Sequence, residues 1–250
     1  VIPSIQVFGL NVFAVRFPAA FFGVLAVLGT YFLVKELFGN KKLGLVAAFL
    51  LAISPWHIQF SHAAFEASVG MAFNLFAVLF FIKGLQKPWM LFLSVLSIVF
   101  GMYVYQSEKV FAPLLFLLLV FVYRKQFFSL PKKYIAGLVV FGLVLLLPLG
   151  IYTLTNTNAL ARARGVSFLS ESNSLLQTNT RRLVKDREQK DFAGLVFDNR
   201  RIVFGKQVAA NYLSHFDINW LFITGDISRH HAPGMGLLYL LELPFLFIGI

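Results

Sequence analysis

The chain has 250 residues, of which 58% are hydrophobic, 16% aromatic and only 13% charged, with a mean hydropathy of +0.77 and a formal charge of +11. A soluble domain carries roughly 25% charged residues, so this composition excludes one dissolved in water by itself and predicts an all-α, polytopic transmembrane bundle with an extramembrane outer segment. The lack of cysteine excludes disulfides and thiolate sites, and in so apolar a chain the positive charge suits anionic lipid and topogenic lysines better than nucleic acid.

No initiator Met, basic n-region or cleavage signal opens the sequence, and both ends fall in apolar segments, so it reads as a piece of a longer protein. Val1–Val15 holds Pro3 and Gly9 and reads as interfacial; Arg16 to Phe38 is the first complete predicted span. Leu43 to Ile53 is too short to cross alone, so it draws on Trp56–Phe60 or crosses at a thinned site. Ser54-Pro55 has the chemistry of an N-cap followed by a first-turn proline, which predicts a new helix there. Ala67 to Leu85 returns across the membrane. Trp89 to Tyr105 and Val110 to Tyr123 form a pair joined by Gln106-Ser-Glu-Lys109, and Tyr134 to Leu154 is a further span with Pro148 as a kink site. Asn156 to Pro233 is polar and holds 11 of the 22 basic residues; a last span begins near Gly236. The predicted organisation is a bundle with short loops over 1–155, an outer segment over 156–233, and the start of another span over 234–250.

Charge placement predicts the orientation. One set of short connections holds Lys35, Lys41, Lys42, Lys83, Lys87, Arg124, Lys125, Lys132 and Lys133, whereas the opposite set holds Lys109, with Arg16 at a helix mouth. By the positive-inside rule the first set is cytoplasmic; long loops translocate largely regardless of their charge. The outer face then carries Arg16, His57, His62, Glu66, Glu108, Lys109, Arg229, His230 and His231. Such polar groups between apolar runs are expensive in lipid and mark candidate sites. His62 and Glu66 are four apart, so one helix would show both on one face. Cations at this boundary can neutralise a phosphate leaving group, and a carboxylate or imidazole can deprotonate an acceptor.

Blander readings stand beside these. Trp56 and His57 suit interfacial anchors, His62 suits a hydrogen bond to a neighbouring helix, and Lys109 suits snorkelling or a weak surface pair with Glu108. Arg229-His230-His231 suits headgroup anchoring as well as a site. Glu66 is the hardest to dismiss, because a carboxylate just inside a span is costly. No His-x-x-x-His or similar ligand spacing is present, so no metal is predicted; no cofactor is assigned, and a divalent-metal requirement does not follow from the residues.

Several stretches, taken in order, resemble one family. Arg16-Phe-Pro-Ala-Ala-Phe-Phe-Gly23 with Tyr31-Phe-Leu-Val-Lys-Glu-Leu-Phe-Gly39 is similar to the second membrane helix of the GT-C-type, protein O-mannosyltransferase-like glycosyltransferases, which include relatives of lipid A aminoarabinose transferase. Leu51-Ala-Ile-Ser-Pro-Trp-His-Ile-Gln-Phe-Ser-His62 and Phe65-Glu66-Ala67 resemble the next outward connection. Tyr105-Gln-Ser-Glu-Lys-Val-Phe-Ala-Pro113 resembles the following outer turn, and Arg229-His-His-Ala-Pro-Gly-Met-Gly-Leu-Leu-Tyr239 the return into the membrane. The resemblance covers most of the chain except about 156–225.

It implies an inverting transferase that takes a sugar from a polyprenyl-phosphate donor and passes it to a protein, lipid or glycan acceptor outside the cell membrane. It also implies a catalytic acid in a first outer loop upstream of Val1, so this piece is expected to be inactive alone. Glu66 matches a second, supporting acid, Lys109 a cation near the carrier phosphate, and Arg16 an arginine at the mouth of the second helix. Arg229, His230 and His231 would face donor phosphate or sugar, and His57 and His62 become donor contacts. The competing class is a transporter or flippase for lipid-linked or anionic solutes, which would place its polar groups near the bilayer midplane and show paired halves. Neither feature is evident here.

Overall fold

The computed structural model describes residues 1–156, 174–227, 230–231 and 234–249. All regular elements among them are helical, and they form two compact units, Val1–Leu149 with Phe222–Ile250, and Gly150–Leu221.

In the first unit, α1 (Ile2–Phe8) is tied to α2 (Val12–Phe38) by Ser4, whose buried hydroxyl donates to the Ala14 carbonyl at 2.6 Å. The span therefore begins before Arg16, because Asn11 caps α2 by accepting from the Ala14 N–H at 2.8 Å. The buried positions of α2 are Ala14, Ala19, Gly23, Ala26 and Gly29. Small residues on one face let membrane helices approach closely, which is the packing available where lipid removes the hydrophobic drive between helices. Gly39, in the left-handed region at φ 64°, ends α2, and Asn40 then caps α3 (Lys41–Ile53) by accepting from the Lys42 and Leu43 N–H groups. A two-residue link thus reverses the chain.

The helix start predicted at Ser54-Pro55 is present. Here α3 gives way to α4 (Pro55–His62) with a bend of 60°, and the two together are apolar and long enough to cross a membrane. Ser54 occupies the N-cap position, but its hydroxyl makes no capping bond. Next come α5 (Glu66–Gln86), α6 (Met90–Val104), α7 (Glu108–Val122), the short α8 (Arg124–Phe128) and α9 (Lys132–Thr155). Among the described residues α2, α5 and α9 are single helices long and apolar enough to span. Both α6 and α7 have 15 residues. At about 1.5 Å per residue each falls short of a hydrocarbon core of about 30 Å. Pro148 lies inside α9, which continues through it.

Ser94, fully buried on α6, donates to the Ala77 carbonyl of α5 at 2.7 Å, so a hydroxyl rather than an apolar contact fixes this helix pair in register. The apolar core gathers Phe81, Leu91, Val95, Val99, Leu119, Phe127 and Leu138 from α5 through α9. Phe127 stacks on Phe81 at 5.9 Å between ring centroids, which pins α8 to the bundle.

The second unit contains α10 (Ser174–Glu188), α11 (Phe192–Phe197) and α12 (Arg200–Ser214). Asp191 and Asn199 cap the latter two through the Gly194 and Arg201 N–H groups. Asn179 donates to the Asp198 carbonyl at 2.8 Å, joining α10 to the end of α11. Partial desolvation, then the neighbouring Asp198 and Asp191 carboxylates, push the Asp186 carboxyl above its ordinary range. A carboxyl raised in the folded state binds its proton more tightly there than in the unfolded chain, so ionising it opposes folding. Stability should therefore fall as pH rises through the raised value, and recover below the ordinary carboxylate range. Asp186→Asn is expected to increase amide protection in α10 at neutral pH and to leave it unchanged in acid, as read by hydrogen exchange normalised for intrinsic rate. Equal gains at both pH values would contradict this.

The chain ends its described course with a 3-10 turn, Leu240–Glu242, and α13 (Leu243–Gly249).

Candidate functional site

Arg16, in the second turn of α2, and His62, the last residue of α4, meet across the two helices at 3.3 Å between Nη1 and Nε2. Guanidinium can only donate, so His62 accepts at Nε2 and carries its proton on Nδ1. Both side chains are exposed. His62 lines a groove of about 550 Å³ whose other walls include Val24, Val27 and Leu28 on α2, Ala52 on α3, and Ile58 and Ser61 on α4, and Arg16 is joined to it through the His62 contact.

His57 lies one turn deeper. It is 4% exposed, and its Nε2–H donates to the Gly23 carbonyl at 3.2 Å. This leaves Nδ1 as a buried acceptor without a hydrogen-bond partner among the described residues. Close approach explains why Gly23 faces this helix: a Cβ there would lie 2.7 Å from Ser61 Cβ. His57 is therefore packed inside the bundle against α2.

One sequence expectation is corrected here. His62 and Glu66 do not share a helix face, because α4 stops at His62 and Ala64 turns the chain with φ 61° before α5 begins. Glu66 becomes the exposed first residue of α5. It stands at the very start of the span rather than one turn within it, and its charge complements the helix N-terminus.

The corner around Phe60 and Phe65 receives the His230 ring, with centroids at 5.4 and 5.3 Å. His230 Nδ1 lies 2.7 Å from an Asp226 carboxylate oxygen, and the buried His231 donates from Nε2 to the Asp226 carbonyl at 3.2 Å. Gly225, at φ 65°, makes room for the His231 ring, since a Cβ would lie 2.6 Å from His231 Cδ2. The Trp56 N–H donates to the Leu237 carbonyl at 3.1 Å, which brings the later segment back onto the first turn of α4. Arg229 falls outside the described residues.

Lys109 is half-buried in the first turn of α7. Its neighbour Glu108 is 6% exposed and is held by α5: Asn74 Nδ2 lies 2.9 Å from both carboxylate oxygens. Gly70 accommodates it, because a Cβ there would lie 3.0 Å from Glu108 Oε1. Sequence reasoning treated Glu108 as a surface partner for Lys109 and did not find Asn74, although an amide inside an apolar helix is the signal that marks it. Asp226 was also missed; its spacing of four from His230 was the available cue. Among the described residues no group of three or more His, Asp or Glu side chains could hold a metal ion.

The structure thus joins Arg16 with His62 and sets His230 against the α4–α5 corner. Neither a curated protein nor a solved structure matches the chain. The pattern of the family described as "Dolichyl-phosphate-mannose-protein mannosyltransferase" matches residues 3–152, which include the whole course from α2 to α8 and most of α9. The chain belongs to that family of GT-C-type membrane glycosyltransferases, whose sugar donors are linked to polyprenyl phosphate.

Proposed function

We propose that this chain forms the donor-binding part of a sugar transferase working at the outer face of the cell membrane, on the side of Arg16, Glu66 and Lys109. The observation that carries the reading is the contact of Arg16 with His62, which lines an apolar groove. A phosphate anion fits beside the guanidinium, which offers a planar fork of donors, while an isoprenoid tail fits along Val24, Val27 and Leu28. Lys109 supplies a second cation, and His230 a further contact for phosphate or sugar. His57 and His231, both buried, act by holding the walls and Asp226 in place; Arg229 is assigned to the donor phosphate from sequence alone.

In the transfer, the acceptor hydroxyl oxygen bonds to the sugar's anomeric carbon as the bond from that carbon to the phosphate oxygen breaks. The electron pair leaves on the carrier phosphate, where Arg16 and Lys109 stabilise the charge. The acceptor proton passes to a carboxylate, with Glu66, exposed at the start of α5, as supporting acid. The family description favours a protein acceptor.

In the intact protein, Glu66→Gln is expected to lower kcat about tenfold or more, and Arg16→Ala and Lys109→Ala both to raise the donor KM and to lower kcat by a similar factor. Membrane insertion should be unchanged. Steady-state transfer at varied donor concentration measures both constants, and wild-type values in all three variants would defeat the assignment.

A further inference from the structure

A second groove of about 550 Å³ opens among α6, α7, α8 and α9 and runs along α7 from Pro113 to Val120, reaching Phe127 and Phe128 on α8. All of its lining side chains are apolar, among them Val99, Phe116, Val120, Phe128, Leu138 and Val139. A water occupies about 30 Å³ of liquid, and a methylene is of similar size, so the groove holds roughly one long acyl chain. Interiors of proteins leave few voids larger than a water, and a wall without contact atoms loses its dispersion attraction.

The groove has a charged end. Its floor residues Phe127 and Phe128 belong to α8, and the same short helix carries Arg124 and Lys125; Lys132 and Lys133 then start α9. All four cations are exposed. The Arg124 guanidinium lies 5.3 Å from the Phe121 ring centroid and Lys133 Nζ 5.5 Å from that of Tyr134, so each of these two lies over the ring of a neighbouring aromatic residue. No acidic residue occurs in the sequence between Glu108 and Glu171 to neutralise them.

We propose that this is a binding site for an anionic phospholipid, one acyl chain in the groove and the headgroup phosphate against Arg124, Lys125, Lys132 and Lys133. Topogenic charge alone accounts for lysines near a membrane end but not for an apolar groove of acyl-chain size ending on them. Basic pockets between membrane helices have the chemistry to select anionic headgroups, each cation contributing about a fivefold preference. The site is separate from the Arg16–His62 groove, which is built by α2, α3 and α4.

Native mass spectrometry of the intact detergent-purified protein, offered equal phosphatidylglycerol and phosphatidylcholine, tests it. The expected result is selective retention of one phosphatidylglycerol. Arg124→Gln with Lys125→Gln, which keeps the other cytoplasmic-side cations, should cut that preference by about twentyfold or more. Val139→Trp, at an exposed groove-lining position, should lower retention of both lipids with the fold intact. Equal retention of the two lipids by the wild type would overturn the proposal. So would an unchanged preference in the charge variant, undiminished retention in Val139→Trp, displacement by inorganic phosphate alone, or retention of polyprenyl phosphate in place of phosphatidylglycerol.

Discussion

Replacing Asn74 by Leu is expected to destabilise the bundle by on the order of 3 kcal/mol, among the largest effects of any single substitution in the first unit. Asn74 is the group from which both Glu108 oxygens accept, each at 2.9 Å, and Glu108 is 6% exposed. Removing the amide leaves a buried carboxylate without that donor, and breaking a buried hydrogen bond to a charged group costs much more than the bond's net worth. The asymmetry gives a sharper test. Glu108→Leu together with Asn74→Leu replaces both polar partners by apolar groups, and should recover most of the loss. A double-mutant cycle in detergent, read as unfolding free energy, is expected to give a large favourable coupling. Additive losses would mean that the Asn74–Glu108 contact does not hold α7 to α5.

Gly84→Val is the second large effect. A Cβ at Gly84 would lie 2.6 Å from Leu91 Cγ and 2.9 Å from the Leu91 backbone nitrogen, at the tight approach of α5 to α6. Side chains can rotate away, but a backbone nitrogen moves only if the helix moves. The expected cost is about 3 kcal/mol, near the upper end for overpacking. Leu91→Ala should relieve only part of it, because the backbone contact remains and Leu91 is itself 1% exposed in the core. Gly150→Ala serves as the contrast: a Cβ there meets nothing within 4 Å. It sits within α9. It should be neutral or stabilising by up to about 1 kcal/mol. Thermal or denaturant unfolding of the three variants in one detergent decides the order; full rescue by Leu91→Ala would contradict the backbone clash.

What was legible in the sequence was legible for local reasons. Hydropathy alone places α2, α5 and α9, because each is a long apolar run whose backbone must satisfy itself. Proline chemistry places the break at Ser54-Pro55, since Pro55 has no N–H to donate. The start of α2 was read too late, although Asn11 ahead of an apolar run is a cap signal. The pairing of Asn74 with Glu108 was out of reach, because 34 residues separate them and no local rule links an amide on one span to a carboxylate on another. The division of His62 from Glu66 depended on Ala64 adopting φ 61°, a conformation alanine rarely takes and its sequence neighbours do not announce. Of the site, the Arg16–His62 contact follows from two helix mouths meeting; the inward turn of His57 toward Gly23 does not, since it needs the small face of α2 to be packed first.

Under the proposed function, polar groups are expected where helices begin and end. A lipid-linked donor presents its phosphate at the boundary and keeps its tail among apolar walls, so a transferase needs cations at a mouth and a groove below it. In the proposed function Arg16, in contact with His62, supplies the cation, and Val24, Val27 and Leu28 supply the apolar walls.

Transfer by the intact protein in vesicles, with a labelled sugar on polyprenyl phosphate and an acceptor peptide, tests the central claim most directly. The account predicts that label reaches the peptide as polyprenyl phosphate is released in equal amount, and that a nucleotide sugar does not substitute for the lipid-linked donor. Movement of the intact lipid-linked sugar across the membrane without cleavage of the sugar–phosphate bond, or transfer from the nucleotide sugar alone, would contradict it.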